Sequence, residues 1–331
     1  MIALARAGPF AQELFATRCE RGADIARMLA LPDSAAQAIR CLDEHWDGGG
    51  YPDGLAGTDI PLLARIAGLA QVLAVHVVED GLDAALDVAR HRAGRWFDPA
   101  LVQVAVALRS DPALWGSLRA DDLADRVAQH EPRGHAIKAA EGDLDRVAEA
   151  FARVIDAKSP FTARHSERVA GLAVGIAAPM GLRPAEQRDL RRAGLLHDLG
   201  KLAISNRILD KPGRLTEAEF AAVREHPRHT QAILERADCF RGLTETAAAH
   251  HERLDGTGYH RGLRGDELAV PARILATADV FEALTADRPY RPPMPTDAAL
   301  ALMREDAGRH LCSLTLDALT AWAAEDAPLA A

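Results

Sequence analysis

Apolar residues along most of this chain recur every three or four positions, which is the spacing of one face of an α-helix. In the clearest example the apolar positions are Leu144, Val147, Phe151, Val154 and Ile155. Alternating apolar and polar runs, which would indicate strands, are few, and the abundant alanine, leucine and arginine favour helix. The pattern therefore predicts an all-α fold.

Boundary signals mark individual helices. Pro184 begins a helix that is expected to run into the sequence LLHDLG. Thr216 and Glu219 form a capping box at the start of another helix, and Pro227 is expected to end that helix just after His226. A third helix is predicted over 272–286, and turn-rich loops are predicted around 47–61, 255–271 and 286–296.

One stretch of the chain occurs twice. Eleven positions between 47 and 70 carry the same residue as the position 208 further on, as in DGGGYPDGLAG against DGTGYHRGLRG. Later the offset becomes 214, where 83–86 matches 297–300 and 93–95 matches 307–309. Two copies indicate duplication and divergence, because a solenoid needs three or more repeats. We expect a domain boundary near 135–142, in a polar segment with scattered proline and glycine.

Composition narrows the class of protein. A hydrophobic content of 48% and a charged content of 26% over 331 residues are typical of a soluble globular protein with room for two domains. The net charge of −9 argues against nonspecific nucleic-acid binding, and no uninterrupted apolar run approaches a membrane span. The four cysteines lack paired spacing, which favours reduced thiols in the cytoplasm.

Histidines and aspartates gather in the second half, each on a predicted helix or at its end: His165, His197, Asp198, His226, His250, His251 and Asp279. Helical bundles build metal centres from inward-facing side chains of this kind, and a mixed imidazole and carboxylate set suits iron or manganese. A carboxylate that bridges two ions, such as Asp198 beside His197, would suit an in-line phosphoryl displacement. Taken singly, each residue is better explained as a surface or core side chain, so the prediction depends on their joint order.

Basic residues near these positions suit phosphate groups. Lys201 follows His197 by four residues and shares its helical face if the helix persists through Gly200. Arg288 and Arg291 follow Asp279 within a proline-rich loop, and arginine binds phosphate in two-pronged geometry.

The order of these motifs closely resembles the HD-GYP family, a branch of the HD phosphohydrolase superfamily, over about residues 143–320. The matching segments are HSERVA, LLHDLGK, ILDKPGRLT, EHP, HHERLDGTGY, GLRG and ARILATADVFEALTADRPYR. The resemblance implies a helical HD bundle over 143–331. It also implies a phosphodiesterase of bacterial second-messenger signalling, in which a water activated by two divalent metal ions, iron or manganese, hydrolyses cyclic di-GMP to pGpG or GMP.

The resemblance also implies roles for individual residues. One ion would be bound by His165, His197, Asp198 and Asp279, and the other by Asp198, His226, His250 and His251. Substrate contacts would come from Lys201, Tyr259, Arg288 and Arg291.

Two positions qualify the resemblance. One departs from the family motif, and the other bears on the number of metal ions. The motif triplet reads Gly258-Tyr259-His260, so its proline is replaced by His260. Because the family loop is linked to contacts with GGDEF domains, this change weakens the expected GGDEF partner more than the expected hydrolase. Some members bind a third metal through a glutamate where this chain has Phe161, which favours two metals.

The first copy lacks the metal ligands. At the offset of 208, four ligand positions fall on Arg18, Leu42, Asp43 and Gln71, and the segment with His197 and Asp198 has no counterpart. Neither His45 nor Asp47 falls on a ligand position. We therefore expect residues 1–135 to form a degenerate half-domain without a metal site. Its core would be completed by the second domain, by a second copy in a homodimer, or by further chain if this sequence is truncated.

The sequence thus favours a cytoplasmic cyclic di-GMP phosphodiesterase, with two alternatives open. The first alternative is an HD hydrolase that acts on another nucleotide or cyclic dinucleotide. The second is a module that binds a cyclic dinucleotide, or a partner protein, without hydrolysis.

Overall fold

The computed structural model describes residues 9–120, 122–130, 140–158, 164–287 and 292–325. Among these residues the regular elements are helices, accompanied by isolated β-bridges, so the predicted all-α class is confirmed. The helices fall into two compact units, Met1–Ala139 and Ala140–Ala331.

The first unit is built around one apolar helix and its neighbours. Its helices are α1 (Pro9–Met28), α2 (Asp33–Arg40), α3 (Leu62–Glu79), α4 (Leu82–Arg92), α5 (Pro99–Ala107), α6 (Pro112–Ser117) and α7 (Leu123–Gln129). Leu69, Leu73 and Val77 of α3 pack with Leu86 of α4 and with Phe97 in the main core of this unit. Helices α6 and α7 both precede the predicted domain boundary near 135–142.

Helix α3 is the described helix that is long and apolar enough to span a membrane, with a mean hydropathy of 1.6 over 18 residues. Part of α3 packs in the core of the first unit. The core helix of a soluble protein can have the same length and composition. Other apolar side chains of α3 are exposed, since Leu62, Leu63 and Val78 are each about half exposed.

The second unit has a larger core. Its helices are α8 (Glu141–Asp156), α9 (His165–Ala177), α10 (Pro184–Leu196), α11 (Asn206–Leu209), α12 (Glu217–Arg224), α13 (His226–Leu234), α14 (Thr244–Ala248), α15 (Val270–Thr285), α16 (Thr296–Glu305) and α17 (Ser313–Glu325). Helix α9 packs against both α10 and α15. A side chain at Gly194 of α10 would meet the backbone of Ala170 at 2.8 Å, so small residues let α9 and α10 approach closely.

The helix that begins at Pro184 runs into LLHDLG as predicted and ends at Leu196. It gives way to a 3-10 turn, Leu199–Ala203, so the condition for a helical face shared by His197 and Lys201 is not met. One predicted helix boundary is wrong. Pro227 begins a helix instead of ending one, because α13 starts at His226 and the missing N–H of a proline costs nothing in a first turn.

The two copies of the repeat adopt the same local structure. The bridge between Asp47 and Ala56 recurs 208 residues later, and the bridge between Ala93 and Phe97 recurs 214 residues later. A buried glutamate, Glu44 in one copy and Glu252 in the other, accepts hydrogen bonds from the backbone N–H groups nine and eleven residues ahead. Each glutamate therefore satisfies the backbone of its glycine-rich turn.

Candidate metal centre

The seven side chains predicted to bind metal come together in the second unit. His165 begins α9, His197 and Asp198 follow α10, His226 begins α13, His250 and His251 follow α14, and Asp279 lies within α15. All are buried except His251, which is partly exposed. They form overlapping groups of three whose nitrogen and oxygen atoms lie within 4.8 Å of one another.

Asp198 lies at the middle of the cluster. Its Oδ2 atom is 3.5 Å from His165 Nε2 and 3.4 Å from His197 Nε2. Its Oδ1 atom is 3.3 Å from His226 Nε2 and 3.9 Å from His250 Nε2. The two oxygens thus face different pairs of histidines, which is the arrangement required of a carboxylate that bridges two ions.

Asp279 contacts both sides of the cluster. Its Oδ1 atom is 3.4 Å from His165 Nε2, and its Oδ2 atom is 3.9 Å from His251 Nδ1. The carboxylates of Asp198 and Asp279 therefore supply the negative charge among five imidazoles.

Backbone carbonyls determine the tautomers of three histidines. In His197, His226 and His250, Nδ1 lies 2.6–2.7 Å from the carbonyl oxygen three residues earlier. Because a carbonyl only accepts, each Nδ1 carries the proton and each Nε2 presents a lone pair to the cluster. The ends of α10, α12 and α14 thus orient the rings in the form that binds metal.

Among the residues that the structure describes, several inward-facing atoms of the cluster have no partner that could satisfy them. The Nε2 atoms of His226 and His250 lie 3.1 Å apart although both carry lone pairs. His197 Nε2 and Asp198 Oδ1 are buried without a hydrogen bond. Burying such atoms is costly unless something pairs with them, and a cation between them would do so. The donor set therefore fits a metal ion.

Burial and charge shift the titration of the cluster. Burial lowers the pKa of His226 to about 3 and the pKa of His250 well below its usual range, which keeps both rings neutral. Burial would also lower the pKa of His165, but its hydrogen bonds with Asp198 and Glu282 outweigh burial and raise that pKa to about 10. The side of the cluster around His165 therefore favours positive charge, which a bound cation would supply.

Glu282 supports the cluster from outside, and the sequence had not singled it out. Its Oε2 atom lies 2.5 Å from His165 Nδ1, and Arg168 Nε donates to its Oε1 at 2.7 Å. Glu282 follows Asp279 by three residues in α15, so the i, i+3 spacing on one helical face was the signal available in the sequence.

The structure places some of the residues predicted to contact the substrate and does not describe others. Lys201 Nζ lies 2.5 Å from Asp198 Oδ2 and approaches the cluster through the 3-10 turn, not along a continuous helix from His197. The Tyr259 ring lies 4.8 Å from the His251 ring between centroids, and burial raises the Tyr259 pKa to about 12. Arg288, Arg291 and Phe161 lie outside the described residues.

The first unit differs at the equivalent positions. Arg18, Leu42, Asp43 and Gln71 line a cavity of about 380 Å³. Arg18 and Asp43, which stand where the second unit has His226 and His251, form an ion pair with each other. Among the described residues of this unit there is no group of three side chains arranged to bind a metal.

Comparison with known proteins identifies a matching family model and several relatives of this chain. The family model for the HD domain matches residues 4–101 and 149–312. A Vibrio cholerae protein named 3'3'-cGAMP-specific phosphodiesterase 3 is 48% identical over 297 residues, which cover 90% of this chain. The cyclic di-GMP phosphodiesterase response regulator RpfG of Xanthomonas campestris pv. campestris is 39% identical over 171 residues, which cover 51% of this chain.

A solved structure agrees with these matches. The crystal structure of a cyclic GMP-AMP specific phosphodiesterase from V. cholerae is similar with a TM-score of 0.65 and 43% identity, covering 97% of this chain and 75% of that one. The chain spans 65% of the length of the V. cholerae relative and 45% of RpfG.

Proposed function

Since this chain belongs to the HD domain family, we propose that it is a metal-dependent phosphodiesterase that acts on cyclic dinucleotides. One observation carries the proposal: the two oxygens of buried Asp198 face separate pairs of histidines, and three of the four histidines present a lone pair to the cluster. Relatives named as phosphodiesterases of cyclic dinucleotides support the same activity.

We assign the two ions to the two sides of Asp198. One ion would be held by His165, His197, Asp198 and Asp279, and the other by Asp198, His226, His250 and His251. When bound, two divalent ions activate water and neutralise the charge of a phosphate undergoing in-line displacement. The Tyr259 phenol stays protonated and can donate a hydrogen bond to a phosphate oxygen, and the Lys201 ammonium adds positive charge beside Asp198.

Two cyclic dinucleotides are candidate substrates, and each is supported by a different observation. Cyclic di-GMP is the substrate that the HD-GYP motifs favour. The second candidate is 3'3'-cGAMP, because the V. cholerae relative named for that substrate is 48% identical over nine tenths of this chain.

The decisive experiment measures metal content and turnover on one anaerobic preparation. Protein loaded with Fe(II) or Mn(II) should bind about two ions per chain, as expected for a dinuclear site, and should convert cyclic di-GMP or 3'3'-cGAMP to linear products. Parallel assays with each substrate would decide between them. Metal-replete protein that forms no product from either would contradict the enzyme, and tight binding without turnover would favour the non-catalytic alternative.

We also propose that the protein is cytoplasmic and pairs with a second copy through exposed apolar side chains at the start of α3, which are Leu62, Leu63 and Ile66. Light scattering after gel filtration should report a dimer for the wild type and a monomer for Ile66→Glu. Leu314→Glu, at an exposed leucine of the second unit, should leave the mass unchanged. A monomeric wild type would exclude this dimer. A GGDEF-domain partner has weaker support, because the triplet carries His260 where the family has proline.

A further inference from the structure

A basic side chain that no motif includes lies beside the metal cluster. Arg224 is the last residue of α12, two positions before His226, and its side chain is exposed. Its guanidinium carbon lies 4.6 Å from the centroid of the Tyr259 ring. The Tyr259 ring also lies close to the ring of His251. Arg224 is therefore connected to the cluster through one aromatic side chain.

The guanidinium of Arg224 is held in place without being neutralised. Among the described residues no carboxylate lies within ion-pair distance of it, whereas Arg228, one turn away, pairs with Glu225 at 2.7 Å. Stacking on an aromatic ring uses the face of a guanidinium and leaves the N–H groups at its edge available. Such an edge suits two-pronged binding of a phosphate.

The repeat supports a link between Arg224 and the cluster. At the offset of 208, Arg224 corresponds to Ala16 and Tyr259 corresponds to Tyr51. The first copy thus keeps the tyrosine but lacks the arginine, together with the metal ligands.

We propose that Arg224 binds the phosphate of the cyclic dinucleotide that is not being cleaved. A cyclic dinucleotide holds two phosphodiester groups in one ring, so the second phosphate must lie near the cluster when the first lies within it. Lys201 is engaged with Asp198, whereas Arg224 stands one ring outside the cluster and pairs with no carboxylate among the described residues. This inference rests on the proposed phosphodiesterase function.

The test compares substrates with two phosphates and with one. Arg224→Ala should raise KM, or the inhibition constant of a ligand that is not hydrolysed, by about ten-fold, as expected for a charge-assisted hydrogen bond. The rise should be similar for cyclic di-GMP, 3'3'-cGAMP and cyclic di-AMP. It should be absent for bis(p-nitrophenyl) phosphate, which has one phosphate. Arg224→Lys should recover part of the loss, and the matched control Arg228→Ala should behave as the wild type.

Every other result of these assays contradicts a specific part of the proposal. An unchanged KM would refute the contact. A rise confined to guanine-containing ligands would mean that Arg224 reads a base, and a parallel loss with bis(p-nitrophenyl) phosphate or of bound metal would mean a structural role. A wild type that cleaves bis(p-nitrophenyl) phosphate but neither binds nor cleaves any cyclic dinucleotide would refute the proposed function itself, and the inference with it.

Discussion

Replacing Asp198 with alanine will lower kcat for a cyclic dinucleotide by about a thousand-fold or more and will reduce the metal content of the protein. The physical reason is that both carboxylate oxygens face Nε2 atoms, so a single substitution removes a ligand from both proposed sites. A dinuclear centre contributes several kcal/mol to the stabilisation of a phosphoryl transition state, and about 4 kcal/mol corresponds to the predicted loss. Metal analysis and turnover on the same sample measure both effects.

The repeat offers a matched control for this substitution. Asp43 stands at the position equivalent to a ligand in the first copy, and it pairs with Arg18 at a partly exposed site. Because exposed ion pairs contribute little, Asp43→Ala should leave metal content, turnover and stability close to the wild type. Retained activity in Asp198→Ala, with unchanged circular dichroism, would show that the centre is assigned to the wrong residues.

Much of the fold could be predicted because its signals are local, and the ligand set could be predicted because its motifs follow a characteristic order along the chain. Period and caps identify helices within a few residues, and a duplicated turn is visible as repeated letters. We predicted that the seven ligands lie together because of their joint order along the chain. A single histidine or aspartate says little about whether it binds a metal. The structure brings these residues within a few ångströms of one another, and their role as metal ligands stays a prediction.

Other features could not be predicted, either because the local signal is ambiguous or because the feature depends on residues far apart in sequence. The role of Pro227 is ambiguous locally, since the same residue follows one helix and occupies the first turn of the next. The contact of Glu282 with His165 joins residues 117 positions apart. The loss of ligands in the first copy was visible, but the sequence could not show that Arg18 and Asp43 pair with each other.

The contact that sets the distance between the halves of the centre lies at Gly200. Its N–H donates to Thr230 Oγ1 at 2.8 Å, and this hydroxyl donates to the His197 carbonyl at 2.9 Å. A Cβ atom at Gly200 would lie 1.9 Å from the His226 carbonyl oxygen. Glycine is thus required by the close approach of α13 to the turn that carries Asp198, and the approach places His226 opposite the carboxylate.

Gly200→Ala will therefore damage stability and metal binding together. The clash is with backbone, which cannot rotate away, so α13 must shift or the turn must open. We expect the free energy of unfolding to fall by about 3 kcal/mol, the upper part of the range for overpacked sites. Bound metal should fall toward one ion per chain, since His226 moves while His165 and His197 keep their places. Chemical denaturation and metal analysis measure the two effects.

Gly171→Ala is the matched control, because Gly171 lies within α9 and a Cβ atom there meets nothing within 4 Å. Alanine loses less conformational freedom than glycine in a helix, so this variant should be more stable by about 0.5–1 kcal/mol with unchanged metal content. If both glycine variants behaved alike, the close approach at Gly200 would not constrain the centre. A destabilised Gly200→Ala that still bound two ions and turned over normally would separate the packing of α13 from the position of His226.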